Sequence, residues 1–180
     1  MHKKVICFYG GPGTGKSTIS AQLFALLKIK GLNVELVREY VKDWVWEKRA
    51  ILPGDQLYIF AKQCRKERIL FQDVDVIITD SPIWLSAIYE RKVDPDPMII
   101  PLAIDKQVRV AKSFGFQYVH IFLQRDDKIK YQTEGRFQSL EEAKKIDDEI
   151  SSYMDRNYPF DLKISASIQV EDLLPLVFPT

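Results

Sequence analysis

Short apolar runs alternate along this chain with charged stretches whose apolar positions recur every three to four residues. Val5 to Tyr9 is an apolar run bounded by lysines and glycines, which predicts a buried strand. From Ser17 to Lys30, Ile19, Leu23, Leu26 and Leu27 keep helical spacing, and Gly31 supplies the stop. Asn33 to Val37 predicts a second strand, followed by an irregular or helical stretch carrying Trp44 and Trp46. Pro53-Gly54-Asp55 predicts a turn, with Asp55 as N-cap of a helix over Gln56 to Phe71. Val74 to Thr79 predicts a third strand, and its continuous β-branched character suits a strand covered on both faces.

Asp94 to Pro101 holds three prolines and reads as a loop, followed by a helix over Leu102 to Phe114. Tyr118 to Leu123 predicts a fourth strand, and Arg125 to Gln138 is polar, charged and without a period. Leu140 to Arg156 predicts a charged helix, Leu162 to Ala166 a short fifth strand, and Val170 to Val177 a closing helix. Strands alternating with helices predict one α/β domain over 1–180, a sandwich around a mainly parallel five-stranded sheet. Function in such sheets gathers at the carboxyl ends of the strands. That rule singles out Gly10 to Ser17, Glu39, Asp80 and Arg125.

Composition narrows the classes. A chain of 180 residues with 46% hydrophobic content suits one core. A net charge of +1 gives no general drive toward nucleic acid or an anionic membrane. Cys7 and Cys64 lie far apart and read as reduced, buried thiols. His120, inside an apolar run, reads as a satisfied core histidine, and with His2 it assembles no zinc site. The opening MHKKVICFYG is too short in its apolar part for a signal peptide or membrane span. The expectation is a soluble, cytoplasmic protein with no membrane partner, in the host cytoplasm if the chain is viral.

GGPGTGKS, Gly10 to Ser17, fits G-x-x-x-x-G-K-[ST] with a strand before it and a helix after it. Glycines let successive backbone N–H groups point at one anion, and the helix N-terminus adds partial positive charge. The expected ATP cradle is Gly10, Gly11, Pro12, Gly13, Thr14, Gly15, Lys16, Ser17 and Thr18, with Lys16 on the β- and γ-phosphates and Ser17 on Mg²⁺. Asp80 closes the third strand where such proteins place the acid that holds Mg²⁺, the favoured reading; the alternative is that Asp80 or Ser81 caps a helix that follows. Glu39 is the candidate general base, with Asp43 competing. Arg125 and Arg136, with Lys128 and Lys130 nearby, are candidates to neutralise the transferred phosphoryl group; the alternative is an exposed charged loop. Trp44, Trp46, Tyr58, Phe60 and Trp84 are candidates to hold a flat ring, although aromatics at helical spacing are more often core.

The opening GGPGTGKS, the VREY after strand two, VIITDSP on strand three and the later YQTEGRFQSLEEAKKID resemble a group of small P-loop proteins. These are ATPases and kinases of the AAA kind, similar to nicotinamide-riboside kinase domains and frequent in bacteriophages. The resemblance spans about Lys4 to Arg156 and implies a five-stranded kinase core with a lid at about 125–138. It implies phosphate and metal roles for Lys16, Ser17 and Asp80, lid roles for Arg125 and Arg136, and the acid role for Glu39. Nucleoside kinases often follow the strand-three acid with arginine, whereas this chain has Ser81-Pro82.

Neither an NKxD guanine-reading element nor an LSGGQ-type signature occurs. The leading expectation is transfer of the γ-phosphoryl of ATP to a hydroxyl of a nucleoside, nucleotide or related small molecule. Two others stand beside it: a kinase acting on a hydroxymethyl-pyrimidine in phage DNA, and a nucleotide-dependent switch that needs a protein partner. Acceptor identity and oligomeric state are not encoded in these patterns.

Overall fold

The computed structural model describes residues 2–52, 54–92, 97–134, 136 and 138–179. Five strands, β1 (Lys4–Tyr9), β2 (Val34–Val37), β3 (Val76–Thr79), β4 (Gln117–Gln124) and β5 (Leu162–Ser165), form one sheet in the order β2-β3-β1-β4-β5. Every pairing is parallel, with Ile6 opposite Ile78 on one side and Val119 on the other. The helices are α1 (Lys16–Ile29), α2 (Lys42–Trp46), α3 (Asp55–Arg68), α4 (Ile83–Glu90), α5 (Ile99–Phe114), α6 (Leu140–Asn157) and α7 (Val170–Val177).

The continuous apolar strands have the reason the pattern implied. Side chains of β1 alternate between two cores: Val5, Cys7 and Tyr9 face one, and Ile6 and Phe8 face the other. The first core includes residues of α3, α4, α5 and α6; the second includes residues of α1 and α7. Burying both faces removes any need for polar alternation. The β1 strand ends under this double cover, so the loop leaving it starts from a fixed point.

Several local expectations are corrected. Asp55 is not the N-cap of α3: Gly54 holds that place, and Asp55 Oδ2 accepts the Leu52 N–H at 2.8 Å, closing the turn from inside the helix. Pro53 of that turn lies outside the described residues. The expected loop at Asp94 to Pro101 is shorter than its prolines suggest, because α5 starts at Ile99. Pro101 sits in the first turn, where an N–H would lack a helical partner in any case. The Glu90 carboxylate accepts the Ile99 N–H at 2.8 Å. Residues 93–96 of that loop lie outside the described residues.

Helix α4 has no counterpart in the hydrophobic pattern; a helix does follow Asp80 and Ser81, but its N-cap is Pro82 and neither side chain caps it. Nearly all of it is buried, from Ile83 through Ile88. A helix covered on every side shows no polar stripe and so no helical period. His120 is buried with Nδ1 2.8 Å from Tyr9 Oη, and burial lowers its pKa to about 4. Cys7 is buried and Cys64 half-buried, and burial raises both thiols, Cys64 to about 11. Among the described residues no helix is long and apolar enough to cross a membrane.

Candidate active site

The loop between β1 and α1 is held by its own backbone. Thr14 Oγ1 donates to Gly11 O at 3.1 Å, and Lys16 Nζ donates to Gly10 O at 2.6 Å and Gly11 O at 2.9 Å. Gly15 caps α1 at φ 94°, a left-handed conformation that a side chain would strain, although a Cβ there would meet only Ile129 Cδ1, at 3.8 Å. Gly13, at φ 77°, is excluded on both grounds: a Cβ there would lie 2.6 Å from the Tyr131 ring and 2.8 Å from Arg136 Nη1.

A cavity of about 430 Å³ opens beside this loop. Pro12, Gly13, Gly15, Lys16, Ser17 and Thr18 are part of its lining. Glu39 and Asp80, from the carboxyl ends of β2 and β3, line it too. Adjacent parallel strands put them side by side: Glu39 N–H donates to Asp80 Oδ1 at 2.9 Å. Behind them the buried Gln63 joins the two strand ends. Its Oε1 accepts the Tyr40 N–H at 3.1 Å, and its Nε2 donates to Thr79 Oγ1 at 3.4 Å. The rest of the lining is Val41, Val45, Ile51, Leu52, Ile59 and Leu85, with Lys42, Gln56, Ser81, Ser86, Tyr89, Lys92 and Gln138 as polar groups among them.

Charge is concentrated where loop and carboxylates meet. Burial lowers the Lys16 ammonium from its ordinary range, opposed by the charges of Glu39 and Asp80. Burial raises Glu39 above the ordinary carboxylate range; Lys16 opposes this and Asp80 adds to it. Burial also raises the Tyr89 phenol, so it faces the cavity as a neutral hydroxyl.

The two arginines expected to act together are divided. Arg136 lines the cavity. Arg125 does not: its Nε donates to Asp147 Oδ2 at 2.8 Å and its Nη2 to Pro12 O at 2.8 Å, behind the loop. Both guanidinium groups lie over the Tyr131 ring, at 5.8 and 5.2 Å from its centre. Asp43, Lys128 and Lys130 are exposed and outside the cavity lining, and Gly135 and Phe137 of the segment expected to form a lid lie outside the described residues.

None of the five candidate aromatics lines the cavity. Trp84 and Phe60 are core, and Trp44 is buried and stacked with Tyr58 at 6.1 Å between ring centres. Trp46 is exposed, with Lys42 Nζ 5.6 Å from its ring centre. The aromatic at the cavity is Tyr89, on the helix whose pattern gave no period. Asp147 was also passed over, although the sequence carries a signal for it. It sits at helical spacing with Ala143, Ile146, Ile150 and Met154, a charge on an otherwise apolar face.

Solved structures share this architecture. A deoxyadenosine kinase from M. mycoides aligns at a TM-score of 0.59 and 16% identity, covering 96% of this chain and 96% of that one. The crystal structure of APE1195 aligns at 0.51 and 20%, covering 98% and 92%; a cysteine mutant of the Mycobacterium tuberculosis APS kinase aligns at 0.50 and 13%, covering 98% and 96%. At these identities the likeness is one of fold, and the fold is that of P-loop kinases. No curated protein sequence matches the chain at a significant level. A family model described as an AAA domain matches residues 5–169, and the chain belongs to that AAA-domain family.

Proposed function

We propose that this protein transfers the γ-phosphoryl group of ATP, with Mg²⁺, to a hydroxyl of a nucleoside, nucleotide or related small molecule. The observation that carries the proposal is one cavity whose lining joins the β1–α1 loop, Glu39 and Asp80 to a set of apolar side chains. The apolar walls suit a ring, and Gln56 and Tyr89 offer hydrogen bonds to its polar edge.

The chemistry follows from the placement. Glu39 takes the proton of the acceptor hydroxyl as that oxygen attacks the γ-phosphorus; the bond from the γ-phosphorus to the β–γ bridging oxygen breaks, and ADP leaves. Burial and the neighbouring Asp80 hold Glu39 above the ordinary carboxylate range, which strengthens it as a base. Lys16 and the loop N–H groups neutralise the phosphate oxygens, and Arg136 adds positive charge at the rim.

Among the described residues no group of three or more His, Cys, Asp or Glu side chains could hold a metal unaided. The Ser17 hydroxyl and the Asp80 carboxylate share the cavity, a hard-oxygen pair that suits Mg²⁺ completed by phosphate oxygens and water. When bound, Mg²⁺ supplies charge neutralisation across the β- and γ-phosphates.

The test is ADP release from Mg-ATP across nucleosides, nucleoside monophosphates, nicotinamide riboside and hydroxymethyluracil-containing DNA, with the product identified by mass. One small acceptor raising turnover above the water background and emerging phosphorylated is the expected result. Turnover that no acceptor alters contradicts the proposal.

A further inference from the structure

Helix α6 reaches the phosphate loop through one buried carboxylate. Asp147 Oδ1 accepts the Gly11 N–H, Oδ2 accepts Arg125 Nε at 2.8 Å, and Arg125 Nη2 donates to Pro12 O at 2.8 Å. These contacts close a ring around the Gly11–Pro12 backbone. The pair is largely out of solvent, the Asp147 and Arg125 side chains being 12% and 13% exposed. A buried ion pair is weak evidence for stability, because desolvating both charges offsets most of their attraction. Its position behind the phosphate loop therefore asks for another explanation.

The approach leaves no slack. A Cβ on Gly11 would fall 2.6 Å from Ala143 O and 2.8 Å from Asp147 Oδ1, so the backbone of α6 lies directly on the loop. The same Gly11 residue is engaged on its other polar group, where Lys16 Nζ donates to its carbonyl at 2.9 Å. Asp147 thus acts on the N–H of the residue whose carbonyl holds the phosphate-binding lysine. Its charge also favours the ammonium form of Lys16. Helix α6 begins directly after the lid segment, at a capping box in which Ser139 Oγ accepts the Glu142 N–H and the Glu142 carboxylate accepts the Ser139 N–H. Tyr131 of the lid donates to Gln138 O at 2.7 Å, just before that box, with Arg125 on its ring.

We infer that Asp147 is a positioning residue: through the Gly11 N–H and Arg125 it fixes the Gly11–Pro12 backbone, and so keeps Lys16 and the loop N–H groups set for a polyphosphate. This rests on the reading of the loop as a phosphate site. Arg125 then acts from behind the loop, not on the transferred group.

The experiment measures dissociation constants for Mg-ATP and for Mg-tripolyphosphate, which has no base or ribose. It compares wild type with Asp147→Ala, Asp147→Asn and Arg125→Met, well below the melting temperature of each. Asp147→Ala is expected to weaken both ligands by about tenfold, the scale of one charge-assisted hydrogen bond. Asp147→Asn can serve only one of the two donors and is expected to weaken both by about threefold. Arg125→Met keeps the Gly11 contact and loses the one to Pro12; it is expected to weaken both by about threefold and decides the matter if Asp147→Ala does not fold. Equal loss for the two ligands locates the effect at the phosphates. Unchanged constants with a lowered melting temperature make the pair scaffold only and overturn the inference. A wild type that binds neither ligand overturns the phosphate-site reading itself, and the inference with it.

Discussion

The part of the cavity lining proposed to take phosphates comes from one continuous segment, the β1–α1 loop; the part proposed to take the acceptor comes from side chains of α2, α3 and α4 and the loops beside them. The β1–α1 loop contains three glycines at positive φ and a lysine held on two carbonyls five and six residues before it. The proposed acceptor lining includes Val45, Gln56, Ile59, Leu85 and Tyr89, brought together only when three helices pack against one another. A phosphate is the same in every nucleotide, so a fixed backbone cradle suits it. An acceptor differs from enzyme to enzyme, and walls made of exchangeable side chains can vary without disturbing the cradle.

Substitutions in the two parts are therefore expected to separate by which substrate they affect. Lys16→Ala gives the largest effect, about a 10³-fold loss of kcat/KM with weakened nucleotide binding, whatever acceptor is offered. Calorimetry with Mg-ATP beside the turnover assay checks it. Glu39→Gln lowers kcat by about 10²-fold and leaves both substrate affinities near wild type, while Asp43→Asn, at an exposed position outside the cavity, changes neither. Because Glu39 works deprotonated and its pKa is raised, activity falls on the acid side at a pH above the ordinary Glu value of about 4.3. Asp80→Asn costs about tenfold in turnover with more Mg²⁺ needed for half-saturation, and it moves that acid limb to lower pH, since the Asp80 charge helps raise Glu39. A limb that stays in place would detach the two carboxylates from one another. Smallest are Gln56→Ala and Tyr89→Phe, each raising the acceptor KM by about fivefold, roughly one hydrogen bond of 1 kcal/mol, with nucleotide affinity unchanged. If these two altered nucleotide affinity instead, the division of the cavity lining into two parts would be wrong.

The same division explains what the chain made legible. The strand–GGPGTGKS–helix segment is local, and its spacing alone predicted the loop that lines the cavity. Glu39 and Asp80 were found by a topological rule, since both end parallel strands, and β2 and β3 prove to be neighbours. Helix α4 escaped because total burial erased its period, and Tyr89 escaped with it. The exposed or core placement of Trp44, Trp46, Phe60 and Trp84 could not be read from spacing, because aromatics recur on core faces and cavity walls alike. Arg125 and Arg136 look equivalent in a polar, aperiodic segment; only the position of Asp147, 22 residues beyond Arg125, draws one of them behind the loop. That pairing depends on α6 crossing the loop at Gly11, a contact no local pattern encodes.

The central claim is that the cavity brings a nucleotide and an acceptor hydroxyl to one carboxylate. The most direct measurement follows the label of γ-³²P-ATP, with the acceptor found in the screen, in wild type and in Glu39→Gln, alongside the affinity of each substrate for both proteins. The account predicts label on the acceptor with wild type, about a 10²-fold slower appearance with Glu39→Gln, and unchanged affinities. Label appearing only as inorganic phosphate, or at an equal rate on the acceptor in both proteins, would contradict it.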